Sequence, residues 1–168
     1  MGPGIALSLA RRGRVTLVDQ STARLDEAAD ELARVTGLLI DRDELTEEAA
    51  SAALDRIDTA TDIAAVADAD YVTEAVTEDL DVNREVFTAL ERHYDDVILA
   101  DNTSSLDLND IATAADRPEG VIVTHWMNPR GSCLSSRWSA ARKPARRRVT
   151  PSRNCWRNWA GVRSCSAT

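Results

Sequence analysis

Several residue types are scarce in this sequence, and their absence excludes whole classes of protein. The first 129 residues contain neither lysine nor cysteine, which excludes a disulfide framework in that segment. No apolar run approaches the roughly 20 residues that a membrane-spanning helix needs. Arg11, Arg12 and Arg14 follow the apolar stretch at the N-terminus, the reverse of the order in a secretory signal peptide. We therefore expect a soluble, cytoplasmic protein with no membrane partner.

Charge divides the chain at about residue 130. Residues 1–129 carry all 28 acidic residues against ten arginines, a net charge of −18. Residues 130–168 carry nine arginines, one lysine and no acid, a net charge of +10. Because an acidic surface repels phosphate, we expect no nucleic-acid partner for the main segment. Many carboxylates with arginine but no lysine favour a halophilic cytoplasm, where salt screens the self-repulsion of such a surface.

The main segment alternates short apolar strands with amphipathic helices. The predicted strands cover residues 15–19, 71–76, 97–100 and 121–124. The predicted helices cover residues 5–10, the segment after the candidate caps Ser21 and Thr22, about 46–54, 63–67, 82–90 and 108–115. This alternation predicts an α/β fold of the Rossmann type, a parallel sheet with helices on both faces. No strand pattern precedes the first helix, so we predict that the first strand is missing.

The N-terminal residues resemble the end of a dinucleotide-binding turn. That turn carries three glycines between a strand and a helix, and an acid follows the second strand. Gly2 corresponds to the third glycine, Gly4 lies in the first helical turn, and Asp19 takes the place of the acid that binds the adenosine ribose. A carboxylate there repels a 2′-phosphate, which favours NAD over NADP. The alternative is a capping glycine and a strand-end aspartate with structural roles only.

Four motifs occur in order along residues 1–129. They are Met-Gly-x-Gly-Ile-Ala at 1–6, Glu-Ala-Val-Thr-Glu-Asp-Leu at 74–80, Asn-Thr-Ser-Ser-Leu at 102–106 and His-Trp-Met-Asn-Pro at 125–129. Together they resemble the successive signatures of L-3-hydroxyacyl-CoA dehydrogenases, including the 3-hydroxybutyryl-CoA enzymes. The resemblance implies NAD-dependent oxidation of (S)-3-hydroxyacyl-CoA to 3-oxoacyl-CoA in fatty-acid metabolism, including β-oxidation. It also implies an acyl-CoA partner and a homodimer.

Oxidation of a secondary alcohol needs a base that removes the hydroxyl proton while the hydride leaves. Neutral imidazole suits this task near pH 7, and His125 lies at the carboxyl end of a predicted strand. The other histidine, His93, is interpreted as structural. By resemblance, Ser104 is a second catalytic residue that bonds the substrate oxygen and approaches the cofactor.

The resemblance also implies further cofactor contacts. Glu78 would line the cofactor site, and Asn128 would help to hold the nicotinamide end. Asn83 departs from the family, which usually has a basic residue there, and Glu74 is interpreted as the structural acid of its motif. The polar residues at 102–105 are also typical helix and turn caps, which is the alternative for Ser104. We predict no metal site.

The segment after Pro129 departs from the family. Residues 1–129 are predicted to be an incomplete NAD-binding domain, and residues 130–168 a non-native basic tail that is irregular or disordered. In the family a glutamate that orients the histidine follows the Asn-Pro pair, whereas residues 130–140 contain no acid. When plausible codons of residues 133–140 and 155–166 are read in the neighbouring frame, the translation resembles the family sequence. This resemblance favours a frameshift.

Several expectations follow from this departure. The C-terminal helical dimerisation domain of the family is expected to be absent, and we expect little or no catalysis by this chain. One alternative is a relative that oxidises sugar acids such as gulonate, since it shares the His-x-x-Asn-Pro region. Another is a non-catalytic NAD-binding or nucleic-acid-binding protein that uses a genuine basic tail.

Overall fold

The computed structural model describes residues 1–76, 79–93, 97–113, 115 and 117–126, together with the strand at 136–140. The helices are α1 (Gly2–Ala10), α2 (Thr22–Asp41), α3 (Glu47–Leu54), α4 (Leu80–Glu91) and α5 (Leu108–Ala112). The strands are β1 (Val15–Val18), β2 (Ile57–Ala60), β3 (Tyr71–Glu74), β4 (Ile98–Asp101), β5 (Val121–Trp126) and β6 (Ser136–Ala140). Two 3₁₀ turns cover Ile63–Val66 and Pro118–Gly120. No helix in this described part is long and apolar enough to cross a bilayer.

The strands form two sheets instead of one. β1 and β2 pair in parallel, and β3, β4 and β5 form a second parallel sheet to which β6 adds an antiparallel strand. A doubly wound sheet has the order 3-2-1-4-5-6, so its first strand lies between the positions that β1 and β3 take here. An open groove of about 2330 Å³, lined by α1, β1, β3 and α4, separates the two sheets. This central groove agrees with the predicted Rossmann-type fold that lacks its first strand.

Helices cover both faces of the four-stranded sheet. Phe87 and Leu90 of α4 pack with Leu99 and Val121 on one face. On the other face, Leu9 of α1 packs against the cluster of Tyr71, Ala100 and Ile122. α1 also packs against α2 and α3 over the two-stranded sheet. Helix α1 therefore joins the two sheets across the central groove.

Side-chain caps fix where two helices begin. The Ser21 hydroxyl accepts a hydrogen bond from the Arg24 amide at 3.4 Å, and the Thr46 hydroxyl accepts one from the Ala49 amide at 3.2 Å. Both capped helices start where the sequence predicts, since cap residues satisfy the free amides of a first turn.

The structure differs from the sequence-based prediction at three elements. β2 was not predicted, because its sequence Ile-Asp-Thr-Ala lacks a strong apolar pattern; it forms by pairing with β1, where Ile57 faces Val15 in register. α5 ends at Ala112, three residues before the predicted end. In the tail predicted to be irregular, Ser136–Ala140 forms a strand on the free edge of β5, since an edge strand offers unpaired backbone groups.

Candidate active site

The residues singled out from the sequence lie at the carboxyl ends of strands. Asp19 directly follows β1, and Glu74 and Asp101 end β3 and β4. His125 is the last residue but one of β5. Since β3, β4 and β5 are parallel, their carboxyl ends share one edge of the sheet, which is where open α/β sheets bind ligands.

The N-terminus of α1 opens into the central groove. Met1 caps the helix without a side-chain hydrogen bond, and a side chain placed at Gly2 would meet no atom within 4 Å. Both Gly2 and Asp19 line the groove. The first-turn amides and the helix dipole make such a terminus suited to phosphate. Gly4 lies in this same first turn, so both predicted glycines belong to one candidate phosphate site.

The Asp19 carboxylate is held in place but stays accessible. It accepts a hydrogen bond from the Ser21 amide at 2.9 Å, and Arg24 lies 3.9 Å from its second oxygen. About one third of the side chain remains exposed (32%). The carboxylate can therefore still accept hydrogen bonds from a ribose, which is the role that the sequence predicts for it.

Asn102 links the loop that carries Ser104 to the strand that carries His125. Its side-chain oxygen accepts a hydrogen bond from the Trp126 amide at 2.9 Å. The buried Thr103 hydroxyl then accepts bonds from the Ser105 and Leu106 amides at 3.1 and 3.0 Å. This network anchors the turn, while Ser104 is exposed and His125 is half-buried. The two predicted catalytic residues thus occupy neighbouring strand ends.

A buried polar triad lies beside this turn. The Asn83 side-chain nitrogen donates hydrogen bonds to Glu74 at 2.7 Å and to Asp101 at 2.6 Å. All three residues are at least 94% buried. Burial raises the pKa of Glu74 from 4.5 to about 7; the bond from the Val76 amide opposes this rise, and the charge of Asp101 adds to it. We call Glu74, Asn83 and Asp101 the carboxyl triad.

The remaining predictions concern two groups of residues and the absence of a metal site. Glu78 and Asn128 lie outside the described residues. His93 is exposed just beyond the end of α4, which agrees with its exclusion from the site. Within the part of the chain that the structure describes, no group of three or more histidine, cysteine or acidic residues could hold a metal ion.

Sequence reasoning missed three polar residues at this edge. Asn102 was interpreted as one of several turn caps, although its side chain connects β4 to β5. Asp101 was not singled out, although it ends a strand as Asp19 follows one. Asn83 was noted only as a departure from the family, and its bonds to two acids give it a structural meaning.

Comparison with known proteins shows the family. The model for "3-hydroxyacyl-CoA dehydrogenase, NAD binding domain" matches residues 1–132. The chain belongs to this family. The predicted family resemblance and the NAD cofactor are thereby confirmed, and the domain is the NAD-binding part of a 3-hydroxyacyl-CoA dehydrogenase type of enzyme.

Three relatives illustrate the match. A probable 3-hydroxybutyryl-CoA dehydrogenase of Deinococcus radiodurans is 37% identical over 131 residues, which cover 77% of this chain and 47% of that protein. The crystal structure of Mycobacterium tuberculosis FadB2 has a TM-score of 0.74 and 32% identity, over 77% of this chain and 46% of that chain. The structure of 5-formyl-3-hydroxy-2-methylpyridine 4-carboxylic acid 5-dehydrogenase, an NAD⁺-dependent dismutase, has a TM-score of 0.79 and 27% identity. That match covers 96% of this chain and 53% of the other.

The family match is confined to a part of each larger protein. The chain spans between 18% and 47% of the length of the curated relatives it matches. What the groove offers fits the cofactor of this family, since the open helix terminus at Gly2 suits a pyrophosphate and the accessible Asp19 carboxylate suits a ribose.

Proposed function

We propose that this domain binds NAD for the oxidation of an (S)-3-hydroxyacyl-CoA to a 3-oxoacyl-CoA in fatty-acid metabolism. The observation that carries the proposal is the bond between Asn102 and the Trp126 amide, because it brings the turn of Ser104 beside the strand end of His125. An alcohol bound between these two segments would have a hydroxyl and an imidazole on neighbouring strand ends. The complete enzyme would bring the acyl-CoA site and a homodimer interface.

The chemistry divides between cofactor and protein. NAD⁺, when bound, would supply the acceptor for the hydride of the carbinol carbon. His125 would remove the hydroxyl proton, since its imidazole can change protonation near neutral pH. Ser104 would hold the substrate oxygen by a hydrogen bond while the carbonyl forms. The alcohol would thus lose its proton to His125 and its hydride to the cofactor.

We further propose that this chain turns over little or no substrate alone. A base histidine needs a partner that orients it and stabilises its protonated form. Residues 130–140, which follow His125 and its Asn-Pro pair, contain no acid that could take that role. A frameshift after Pro129 accounts for the missing acid. Genomic sequence that restores the family pattern after one inserted or deleted base would support this account, and an uninterrupted frame would contradict it.

Binding and catalysis can be tested separately. NADH fluorescence titration of the chain measures cofactor binding, and a version extended by an apolar strand ending in Gly-x-Gly before Met1 should bind more tightly. Hydride transfer would be followed with 3-hydroxybutyryl-CoA, a long-chain 3-hydroxyacyl-CoA and gulonate. We expect binding without turnover by the chain, whereas failure of both versions to bind NADH would overturn the proposal.

The substrate class needs a complete enzyme. A version in which the reading frame is restored after Pro129, and a first strand ending in Gly-x-Gly is added before Met1, supplies the missing parts without borrowing the substrate site of a relative. Oxidation of the acyl-CoA substrates and not of gulonate would support the proposed function. Preference for gulonate would favour the sugar-acid alternative instead.

A further inference from the structure

The carboxyl triad brings together two acids that repel each other when both are charged. Glu74 and Asp101 are register partners on the adjacent strands β3 and β4, and like charges directly opposite each other destabilise a sheet. Both side chains are also buried, at 6% and 1% exposure. A proton on Glu74 can bond Asp101, and once both acids are charged another donor must offset the cost of burying them together.

Asn83 supplies that donor. Its side-chain nitrogen contacts Glu74 and Asp101 at 2.7 and 2.6 Å, so both of its N–H groups are used. Its oxygen has no hydrogen-bond partner within the described part of the chain. The reverse orientation of the amide would place that oxygen against two carboxyl oxygens, which makes the observed orientation the favourable one. Asn83 thus acts as a donor to two acids at once.

The strand ends held by Asn83 lead directly into the catalytic turn. The Asn102 amide, next to Asp101, donates to the Glu74 carbonyl at 3.0 Å. The Asn102 side chain in turn holds the Trp126 amide. Thr103 follows, and its hydroxyl holds the Ser105 and Leu106 amides. A shift of the end of β4 would therefore move the turn as a unit.

We propose that Asn83 is a positioning residue for the active site, whose two hydrogen bonds fix the ends of β3 and β4 and thereby the turn that carries Ser104. This inference rests on the proposed function only in the role given to Ser104. The hydrogen bonds from Asn83 to Glu74 and Asp101 form in the chain without cofactor. It can accordingly be measured whether or not NADH binds.

The decisive variant removes both donors while it keeps the branched shape and the number of heavy atoms of the side chain. Asn83→Leu leaves Glu74 and Asp101 buried without their shared donor. We expect amide hydrogen exchange, measured by NMR, to become about ten to a hundred times faster at Ser105, Leu106 and Trp126, because each buried carboxyl loses one hydrogen bond and the two strand ends lose the donor that joins them. Amides of α2 should be unaffected, since that helix packs over the other sheet.

Rescue and a matched control separate positioning from general stability. Asn83→Lys restores donors, because an ammonium can bond both carboxylates, so the turn should regain its protection. Thr36→Val alters another buried residue, on α2, and should leave the turn unchanged. Uniform acceleration in Asn83→Leu, no acceleration at the turn, or failure of Asn83→Lys to restore protection would overturn the proposal.

Cofactor binding gives a second readout. If the chain binds NADH, Asn83→Leu should weaken that binding and Asn83→Lys should restore it. Failure of both the chain and its extended version to bind NADH refutes the proposed function, whereas the exchange measurements still decide the role of Asn83. The two failures are therefore distinguishable.

Discussion

The two sheets of this domain place their polar residues in opposite ways. At the two-stranded sheet, the polar group of the candidate site is Asp19, which remains one-third exposed beside the open terminus of α1. At the four-stranded sheet, the carboxyl triad is almost fully buried, with exposed fractions of 1% to 6%. Acids lie at strand ends of both sheets, but among them only Asp19 is exposed enough to bind a ligand.

This difference separates recognition from positioning. An exposed carboxylate can exchange water for ribose hydroxyls at small cost, so Asp19 is suited to bind a cofactor. Buried carboxyls without paired donors are expensive, so those of the triad are suited to hold strands at one separation. The comparison predicts that changes near Asp19 alter cofactor affinity, whereas changes near the triad alter stability and the geometry of the catalytic turn.

The largest expected effect concerns the base. In a chimera that places residues 1–129 between the first strand and the C-terminal part of the Deinococcus relative, His125→Ala should lower the turnover number about 10²- to 10⁴-fold, the usual contribution of a general base. Its NADH affinity should change little. The matched control is His93→Ala, an exposed histidine, which should retain full turnover. Equal losses in the two variants would refute the assignment of His125.

The core of the four-stranded sheet should be the more sensitive to truncation. Phe87→Ala removes a ring that is 0% exposed and should cost about 3–5 kcal/mol in the free energy of unfolding. Val76→Ala, at a residue that is 47% exposed, is the control. Urea denaturation followed by circular dichroism measures both. Similar midpoints for the two variants would show that the ring does not support the sheet.

Stability should fall as pH rises, because of the triad. The pKa of Glu74 is about 7 in the folded chain, against an ordinary value of 4.5. Between pH 4.5 and 7 the folded chain keeps a proton on Glu74 that the unfolded chain has released. The contribution of Glu74 to the free energy of unfolding therefore declines as the pH rises. Below pH 4.5 it is fully present, and above pH 7 it is lost.

The variant Glu74→Gln isolates this effect. It carries no charge at any pH, so its urea midpoint should lack the decline that the parent chain shows between pH 4.5 and 7. Glu85→Gln on the exposed side of α4 is the control and should keep the decline. A parent chain whose stability rises over this interval relative to Glu74→Gln would contradict the proposed burial cost.

The comparison also explains which features the sequence could predict. Asp19 and His125 follow from local patterns, because each comes at the end of a recognisable apolar strand. The caps Ser21 and Thr46 are equally local. The triad is not, since Asn83 and Asp101 lie 18 residues apart on a helix and a strand. Their contact depends on how α4 packs on the sheet, which periodicity does not specify.

Strand pairing also depends on contacts that the local sequence does not specify. β2 has little apolar character of its own and exists because β1 offers it a parallel partner. β6 is held in the same way by the edge of β5. Strand formation depends on neighbours more than helix formation does, so the helices were predicted more completely than the strands.

The smallest of these effects concerns the exposed acid. Asp19→Ala removes the carboxylate that would bond the adenosine ribose, and a hydrogen bond to a charged group is worth enough to weaken NADH binding about tenfold. The change should weaken NADPH binding less, because it also removes the charge that repels a 2′-phosphate. Asp30→Ala on the exposed face of α2 is the control. Fluorescence titration of both cofactors tests the ratio, and an unchanged preference for NADH would show that Asp19 supports the turn at Ser21 and takes no part in recognition.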